Sequence, residues 1–303
     1  MNASKQKALT ISAARLGLQL AVASVPGRDH QLAGRPNQDA WGLAVSARHL
    51  AAVVSDGCGS APHSELGARL AAQWTAEAIV HELECAGPLE PQPPDAIRGP
   101  PSLPVEAFER ARLAVLDKLA GLHALLSSAP VQEGRDGAAR EAVHDHLLFT
   151  LVGVAVGPHS LRTFSIGDGV IVTDGHVREL GPFEGNRPPY LGYALLPDAA
   201  HGLTQAQLRW QLDPQRARAD FTSLSLATDG ALARRADAPE PVLRLAPLFM
   251  ELHRGEHFRN PDALRRALWL EARDTQRSPG RLPDDTTILS LRAVTAAPHT
   301  LSA

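Results

Sequence analysis

Aspartates stand at the edges of apolar segments in separate parts of the chain. Asp56 and Asp229 each follow an apolar segment and precede a glycine. Asp284 and Asp39 lie just ahead of apolar segments. Side chains at strand ends are held on a rigid sheet and can converge, and clustered carboxylates repel one another unless a cation neutralises them. Because oxygen ligands favour hard ions, the pattern predicts a site for Mg²⁺ or Mn²⁺. As an alternative, Asp-Gly is a common turn dipeptide.

The elements that would carry these aspartates follow from hydrophobic periodicity. Alternating or short apolar runs predict strands at 16–25, 40–46, 49–55, 147–156, 160–166, 170–174, 176–180, 221–227 and 286–292. Helical spacing predicts helices at 64–83, 105–126, 241–253 and 261–274. In the first of these helices Ser64 is the predicted N-cap, and Leu66, Leu70, Trp74 and Ile79 lie on or near one predicted face. Helices in blocks between blocks of hairpins predict an α+β layered fold.

One domain over residues 16–294 is predicted, with a proline-rich surface loop at about 87–104 and flexible termini at 1–15 and 295–303. The 303 residues carry a net charge of −3, so there is no global basic field to attract nucleic acid. No apolar run is long enough for a membrane span, and two cysteines cannot form a disulfide framework. With no signal peptide pattern at the start, the expected location is the cytoplasm.

Six short blocks occur in a particular order along the chain. They are Asn-Gln-Asp-Ala at 37–40, Ser-Asp-Gly-Cys-Gly-Ser at 55–60, Thr-Leu-Val-Gly at 150–153, Ile-Gly-Asp-Gly at 166–169, Ala-Thr-Asp-Gly at 227–230 and Asp-Asp-Thr-Thr at 284–287. In this order the chain resembles the type 2C metal-dependent Ser/Thr protein phosphatases, most closely a bacterial branch. The resemblance implies a four-layer α-β-β-α sandwich of two packed, mainly antiparallel sheets.

The resemblance also implies roles for individual residues. Asp56 would bridge two Mn²⁺ or Mg²⁺ ions, and the carbonyl of Gly57 would bind one of them. Asp229 and Asp284 would complete the protein ligands of the other ion. Asp39 would act through a bound water.

Asp168 stands at the position that helps to bind a third, looser metal in that family. The implied reaction is hydrolysis of phosphoserine or phosphothreonine by a metal-bridging hydroxide, without a covalent intermediate. The implied partners are a phosphorylated protein substrate and a cognate Ser/Thr kinase.

The chain departs from the family pattern around the substrate phosphate. Many relatives have Glu where Gln38 stands, and Gly34 occupies the position of a common phosphate-binding Arg. His30, Arg35 and Arg28 lie in the same turn and are alternative phosphate ligands, of which His30 is slightly favoured.

Further departures concern the acid and the third metal. Cys58 replaces a His that serves as the proposed general acid in some relatives, and we assign Cys58 no catalytic role. His63 lies close by as an alternative proton donor. Ala233 stands where many relatives have another acidic residue. Residues 185–196 fall where relatives carry a variable flap, which we expect to shape the choice of substrate.

Two other functions are alternatives to an active protein phosphatase. The first is a catalytically weak or inactive pseudophosphatase that acts as a regulatory binding module, which the substitution at Gln38 and the missing Arg favour. The second is a metal hydrolase that acts on small phosphorylated metabolites. P-loop and zinc enzymes are disfavoured, because the sequence has neither a phosphate-binding Gly-Lys loop nor a histidine-rich cluster.

Overall fold

A computed structural model describes residues 13–87, 103–128, 135–233, 242–243, 245–260, 262–273 and 282–294. Most of the predicted proline-rich loop lies outside the described residues, as do nearly all of the predicted flexible termini.

The helices and strands are numbered here in chain order. The helices are α1 Arg28–Ala33, α2 Ser64–Cys85, α3 Val105–Ser127, α4 Arg135–His146, α5 Ala246–Arg254 and α6 Ala263–Arg273. The first strands are β1 Leu18–Val25, β2 Ala40–Val45, β3 Leu50–Ser55, β4 Leu151–Val156, β5 Ser160–Ile166, β6 Gly169–Thr173 and β7 His176–Leu180. The remaining strands are β8 Gln211–Leu212, β9 Arg216–Ala217, β10 Ser223–Ala227, β11 Leu232–Ala233, β12 Val242–Leu243 and β13 Thr286–Ala293.

The main strands form two antiparallel sheets. The first sheet has the order β1-β13-β10-β6-β7. The second has the order β2-β3-β4-β5-β8, with β9 also paired to β5. The short strands β11 and β12 pair with each other.

Alternating side chains on β3 show how the layers stack. Leu50, Ala52 and Val54 belong to the core between the two sheets. Ala51 and Val53 point the other way, into the core that the second sheet shares with α2, α3 and α4. A third core lies between the first sheet and helices α5 and α6. The fold is therefore an α+β four-layer α-β-β-α sandwich, as predicted.

Helix α2 packs on the second sheet through small side chains. Its buried face is formed chiefly by alanines, including Ala68, Ala71, Ala72 and Ala76. A Cβ placed on Gly42 of β2 would lie 2.1 Å from the carbonyl oxygen of Ala72, so glycine is required at that contact. Of the residues predicted on or near one face of α2, Ile79 is buried, Trp74 is half-buried and packs against the core, and Leu66 and Leu70 are half-buried.

Three helices differ from the prediction. Helix α5, predicted from residue 241, begins at Ala246, and Val242–Leu243 form β12 instead. Helix α1 occupies the polar segment predicted as a turn, and α4 was not predicted. The sequence of α4 is dominated by polar and charged residues, so it shows no apolar stripe at helical spacing. The N-cap of α2 is His63, and the hydroxyl of Ser64 instead donates to the Cys58 carbonyl at 3.1 Å.

None of the helices in the described ranges is long and apolar enough to cross a membrane.

Glu84, near the end of α2, connects this helix to the β2–β3 turn. Its carboxylate accepts hydrogen bonds from the Ser46 hydroxyl and from Arg48 Nη2, the latter at 2.8 Å. It also contacts His49 Nδ1 at 2.7 Å. The bonds from Ser46 above all, together with those from Arg48 and His49, outweigh the cost of burial and lower the pKa of Glu84 to about 2. The ionised carboxylate therefore helps to hold the helix against the sheet.

We expect Glu84→Gln to lower the free energy of unfolding by about 1 kcal/mol at pH 7, since the carboxylate is partly exposed. The pKa of Glu84 is depressed from 4.5 to about 2 in the folded protein, so its contribution is complete above about pH 4.5 and is lost as the pH falls towards 2. Urea unfolding across this range should show the two proteins converging at the acid end. Glu77→Gln, at an exposed site on the same helix, is the control; a difference independent of pH would contradict the prediction.

Candidate active site

The aspartates converge because their strands are neighbours. Ala40 of β2 pairs with Ser55 of β3, which brings the preceding Asp39 next to the following Asp56. Ala227 of β10 pairs with Ile288 of β13, so Asp229 and Asp284 lie at the same end of the first sheet. The site is therefore formed where corresponding ends of the two sheets meet.

Three other carboxylates lie close enough to Asp56 for their charges to affect its pKa. Burial is the main reason that the pKa of Asp56 is raised well above its ordinary value. The charges of Asp39, Asp229 and Asp168 raise it further, and Asp56 also shares a hydrogen bond with Asp229. Two carboxylates can share such a bond only when one holds a proton. Without a cation, this cluster is thus driven towards protonation.

Asp39 is buried and held by a threonine. Its Oδ2 accepts a hydrogen bond from the Thr228 hydroxyl at 2.7 Å, whereas Oδ1 is buried and has no hydrogen-bond partner among the described residues. Burial, followed by the charge of Asp285, raises the pKa of Asp39 well above its ordinary value, although bonds from Thr228 and Thr287 oppose this. The unpaired oxygen is available to a water or an ion.

Asp284 is the most exposed of the group, and its pKa is raised by desolvation and by the charge of Asp229. Within the described residues, the ligand atoms of His30, Asp284 and Asp285 all lie within 4.8 Å of one another. The predicted set of Asp56, Asp229 and Asp284 is not such a compact group. A two-metal site spreads its ligands over ions about 3.5–4 Å apart, so wider spacing is expected of that set.

Asp285 holds the loop before β2 in place. This buried carboxylate accepts the backbone N–H of Gly27 at 2.7 Å and that of Gln38 at 2.6 Å, and its Oδ2 lies 2.8 Å from His30 Nδ1. A Cβ on Gly27 would lie 2.2 Å from the backbone of Asp284, so only glycine fits there. The position of His30 beside the carboxylates thus depends on Asp285.

The alternative phosphate ligands lie in different surroundings. His30 is bound to Asp285, with a side chain only 11% exposed. Arg35 is exposed, and its Nη1 donates to the Gly59 carbonyl at 2.8 Å. Arg28 is exposed at the start of α1. Of the three, His30 lies closest to the carboxylates by contact.

Gly57 and Gln38 meet beneath the site. A Cβ on Gly57 would lie 2.7 Å from the Gln38 carbonyl oxygen and the same distance from the Ser64 hydroxyl, so a side chain there would displace the Asp56 loop. The amide nitrogen of Gln38 donates to the Ala61 carbonyl at 2.7 Å, which directs this side chain towards the loop after Gly57.

A family model for protein phosphatase 2C matches residues 26–269, which is more than half of the chain. The chain belongs to the protein phosphatase 2C family. The resemblance drawn from the six sequence blocks is confirmed. The comparison with curated proteins gives no match.

The chain is similar to several solved structures of bacterial phosphatases. A bacterial serine phosphatase is 14% identical, with 92% of this chain and 99% of that chain covered and a TM-score of 0.46. The Mycobacterium tuberculosis serine/threonine phosphatase PstP/Ppp is 16% identical, with 92% and 99% covered and a TM-score of 0.41. The Staphylococcus aureus serine/threonine phosphatase Stp1 is 14% identical, with 92% and 96% covered and a TM-score of 0.43.

Two residues of this phosphatase 2C domain had no predicted role at the site, and Tyr190 was predicted only as part of the flap at 185–196. Asp285 and Thr228 adjoin predicted ligands, and their hydrogen-bonding side chains were the available signal. Tyr190 is buried, hydrogen-bonds Cys58 and lies within the charges of Asp56 and Asp168. Desolvation is the main reason that the pKa of Tyr190 is raised, so its hydroxyl keeps its proton.

The predicted proton donor His63 lies at the edge of this arrangement. Its side chain is 60% exposed and its ring stacks on that of His146 at 5.2 Å. The thiol of Cys58 contacts the Ser60 hydroxyl at 3.2 Å. The side chain of Ala233 lies outside the described residues.

Thr228→Val should destabilise the domain by about 1–3 kcal/mol, because valine leaves Asp39 Oδ2 and the Thr287 N–H without their buried partner. Thr228→Ser keeps the hydroxyl and should cost less. Urea unfolding of the two variants and the natural protein measures the difference. Equal stability of the valine and serine variants would contradict the role of this hydroxyl.

Proposed function

We propose that this chain is a metal-dependent Ser/Thr protein phosphatase, a hydrolase that releases phosphate from phosphoserine and phosphothreonine. The observation that carries the proposal is the convergence of Asp39, Asp168 and Asp229 around Asp56, with Asp284 near Asp229. Membership of the protein phosphatase 2C family supports the same reaction.

The residues fit two Mn²⁺ or Mg²⁺ ions. Every candidate ligand supplies oxygen, which these hard ions prefer. Desolvation and like charges raise the pKa values of Asp39, Asp56 and Asp284, which is costly for a cluster that must stay ionised near neutral pH. A pair of cations would remove that cost. We assign Asp56, the Gly57 carbonyl, Asp229 and Asp284 as their ligands.

Bound divalent cations would activate water, screen the phosphate charge and align an in-line displacement. The protein supplies the positioning. Thr228 fixes Asp39 so that one carboxylate oxygen remains free for a water. Asp285 fixes His30, and the bond to Nδ1 leaves Nε2 as the ring atom that can reach a phosphate oxygen. Asp168 is our candidate ligand for a third, more weakly held cation.

The substrate side of the proposal follows from the family. A phosphorylated protein would be the substrate, and the enzyme would oppose a cognate Ser/Thr kinase. We keep the cytoplasm as the proposed location. A net charge of −3 gives no support for nucleic acid as a partner.

Asp56→Ala should reduce Mn²⁺-dependent phosphate release from a phosphoserine peptide by at least about 100-fold, because a shared ligand would be lost. Release should also stop with EDTA and return with Mn²⁺. Calorimetric titration with Mn²⁺ gives a second readout, in which the variant should lose affinity.

The outcomes of that experiment separate the alternatives. Equal metal-dependent release by the natural protein and by Asp56→Ala would contradict the proposal. Peptide binding without turnover would favour a regulatory pseudophosphatase. Much faster release from free phosphometabolites than from phosphopeptides would contradict the substrate class.

His30→Ala should raise KM for a phosphoserine peptide by roughly 10-fold or more, since one hydrogen bond to a charged group would be lost. Arg35→Ala should change KM by no more than about 3-fold, because its guanidinium is exposed and already donates to Gly59. Steady-state kinetics shows which of the two variants has the larger increase in KM. Thermal unfolding checks that both variants are folded. A larger effect at Arg35 would make Arg35 the phosphate ligand.

A further inference from the structure

A cavity of about 800 Å³ lies between the end of β5 in the second sheet and β7 in the first sheet. Its walls come from the end of β5, from β7 and from the segment 181–211 that follows β7. Phe183, Pro189 and Leu203 supply apolar surface, while Ser165 and Gln211 supply polar groups. A cavity of this size holds several side chains of a peptide and is unused by the mechanism above.

Positive charge predominates in the cavity lining. Arg178, Arg187 and Arg209 line it, and Glu184 is the acidic residue among the lining residues. Arg178 forms an ion pair with Asp213 and is largely neutralised.

Two of these arginines keep their charge available. With the residues that the structure describes, neither Arg187 nor Arg209 forms an ion pair, and both are exposed. Arg209 is near enough to Glu109 to contribute, after Arg112, to the lowered pKa of that carboxyl. An anion in the cavity would therefore meet Arg187 and Arg209 without first displacing a bound carboxylate.

His201 adds a directed donor to the same wall. Its Nδ1 accepts the Leu203 N–H at 3.1 Å, so the neutral ring carries its proton on Nε2. That Nε2 is buried and has no hydrogen-bond partner among the described residues. The ring is fixed by stacking on Tyr193, with centroids 5.2 Å apart. His201 itself lines the cavity, and its buried Nε2–H needs an acceptor that the described residues do not supply.

The cavity reaches the surroundings of Asp168, the candidate ligand for a third cation. Gly167, which precedes Asp168 in the sequence, and Gly181 both line it. A Cβ placed on Gly181 would be 3.6 Å from the Cβ of Asp168. Asp168 in turn contributes to the raised pKa of Asp56. A peptide whose phosphate lies at the carboxylates would thus carry its neighbouring residues past this opening, at about 3.3 Å per residue.

We infer that this cavity binds acidic side chains that flank the phosphorylated residue, either carboxylates or a second phosphoryl group. The inference rests on the proposed phosphatase function and makes it more specific. Arg187 and Arg209 would contact the flanking anion, His201 Nε2 would donate to it, and the apolar wall would cover the side-chain stem. The enzyme would therefore prefer phosphoproteins whose sites lie in acidic segments.

The test compares three phosphoserine peptides that differ only in the residues next to the phosphoserine. The first has glutamates at those positions, the second has glutamines, and the third has another phosphoserine. Binding is measured by fluorescence anisotropy with the hydrolysable phosphate replaced by a phosphonate, and KM is measured with the phosphate. We expect the glutamate peptide to bind at least about tenfold more tightly than the glutamine peptide, with a preference that weakens as salt is added. The third peptide distinguishes a phosphoryl source of the anion from a carboxylate source.

In the Arg187→Gln, Arg209→Gln double variant, the ratio of the two affinities should fall to about 1. Arg266→Gln, at an exposed site on α6 on the opposite side of the sandwich, should keep the natural ratio. Equal binding of both peptides by the natural protein would overturn the inference, as would a preference that the double variant retains. Anisotropy needs no turnover, so absent phosphate release would overturn the proposed function while the binding ratio still decides the role of the cavity.

Discussion

The buried carboxylate of Asp285 is the interaction on which the arrangement of the site depends. It lies just before β13 and receives the backbone of Gly27, the backbone of Gln38 and the ring of His30. Gly27 follows β1, His30 belongs to α1, and Gln38 precedes β2. One side chain therefore connects the first sheet to the second. A buried charge is tolerated only when donors surround it, and the same donors fix the loop that carries Asp39.

Most of the fold could be predicted from the sequence, because apolar alternation marks strands strongly. The strands at 160–166 and 176–180 were predicted to the residue. Helix α4 was missed because its amphipathic signal is weak and a glycine lies near its start. The alanine face that α2 buries was not predicted, because periodicity is marked by large side chains whereas close packing on the sheet selected alanines.

The candidate site was predictable to a different degree. Aspartates at strand ends are visible in the sequence, and the pairing of β2 with β3 accounts for the meeting of Asp39 and Asp56. Which donors hold each carboxylate was not predictable, because Asp285 and His30 are 255 residues apart in sequence. The cavity beyond Asp168 was equally hidden, because it combines a β-edge with an irregular segment whose arginines follow no periodic pattern. Long-range contacts of this kind depend on the assembled fold.

The loop around Asp56 is attached on both sides. Its backbone forms two hydrogen bonds with the segment before β4. The Asp56 carbonyl accepts the Thr150 N–H, and the Cys58 N–H donates to the Leu148 carbonyl. Shortly afterwards α2 begins, and its alanine face leaves no space against Gly42. A ligand that arrives at Asp56 therefore meets a preorganised group, and little of its binding free energy is spent on ordering the chain. A ligand that binds Asp56 can therefore change the net charge at this loop while the loop backbone stays in place.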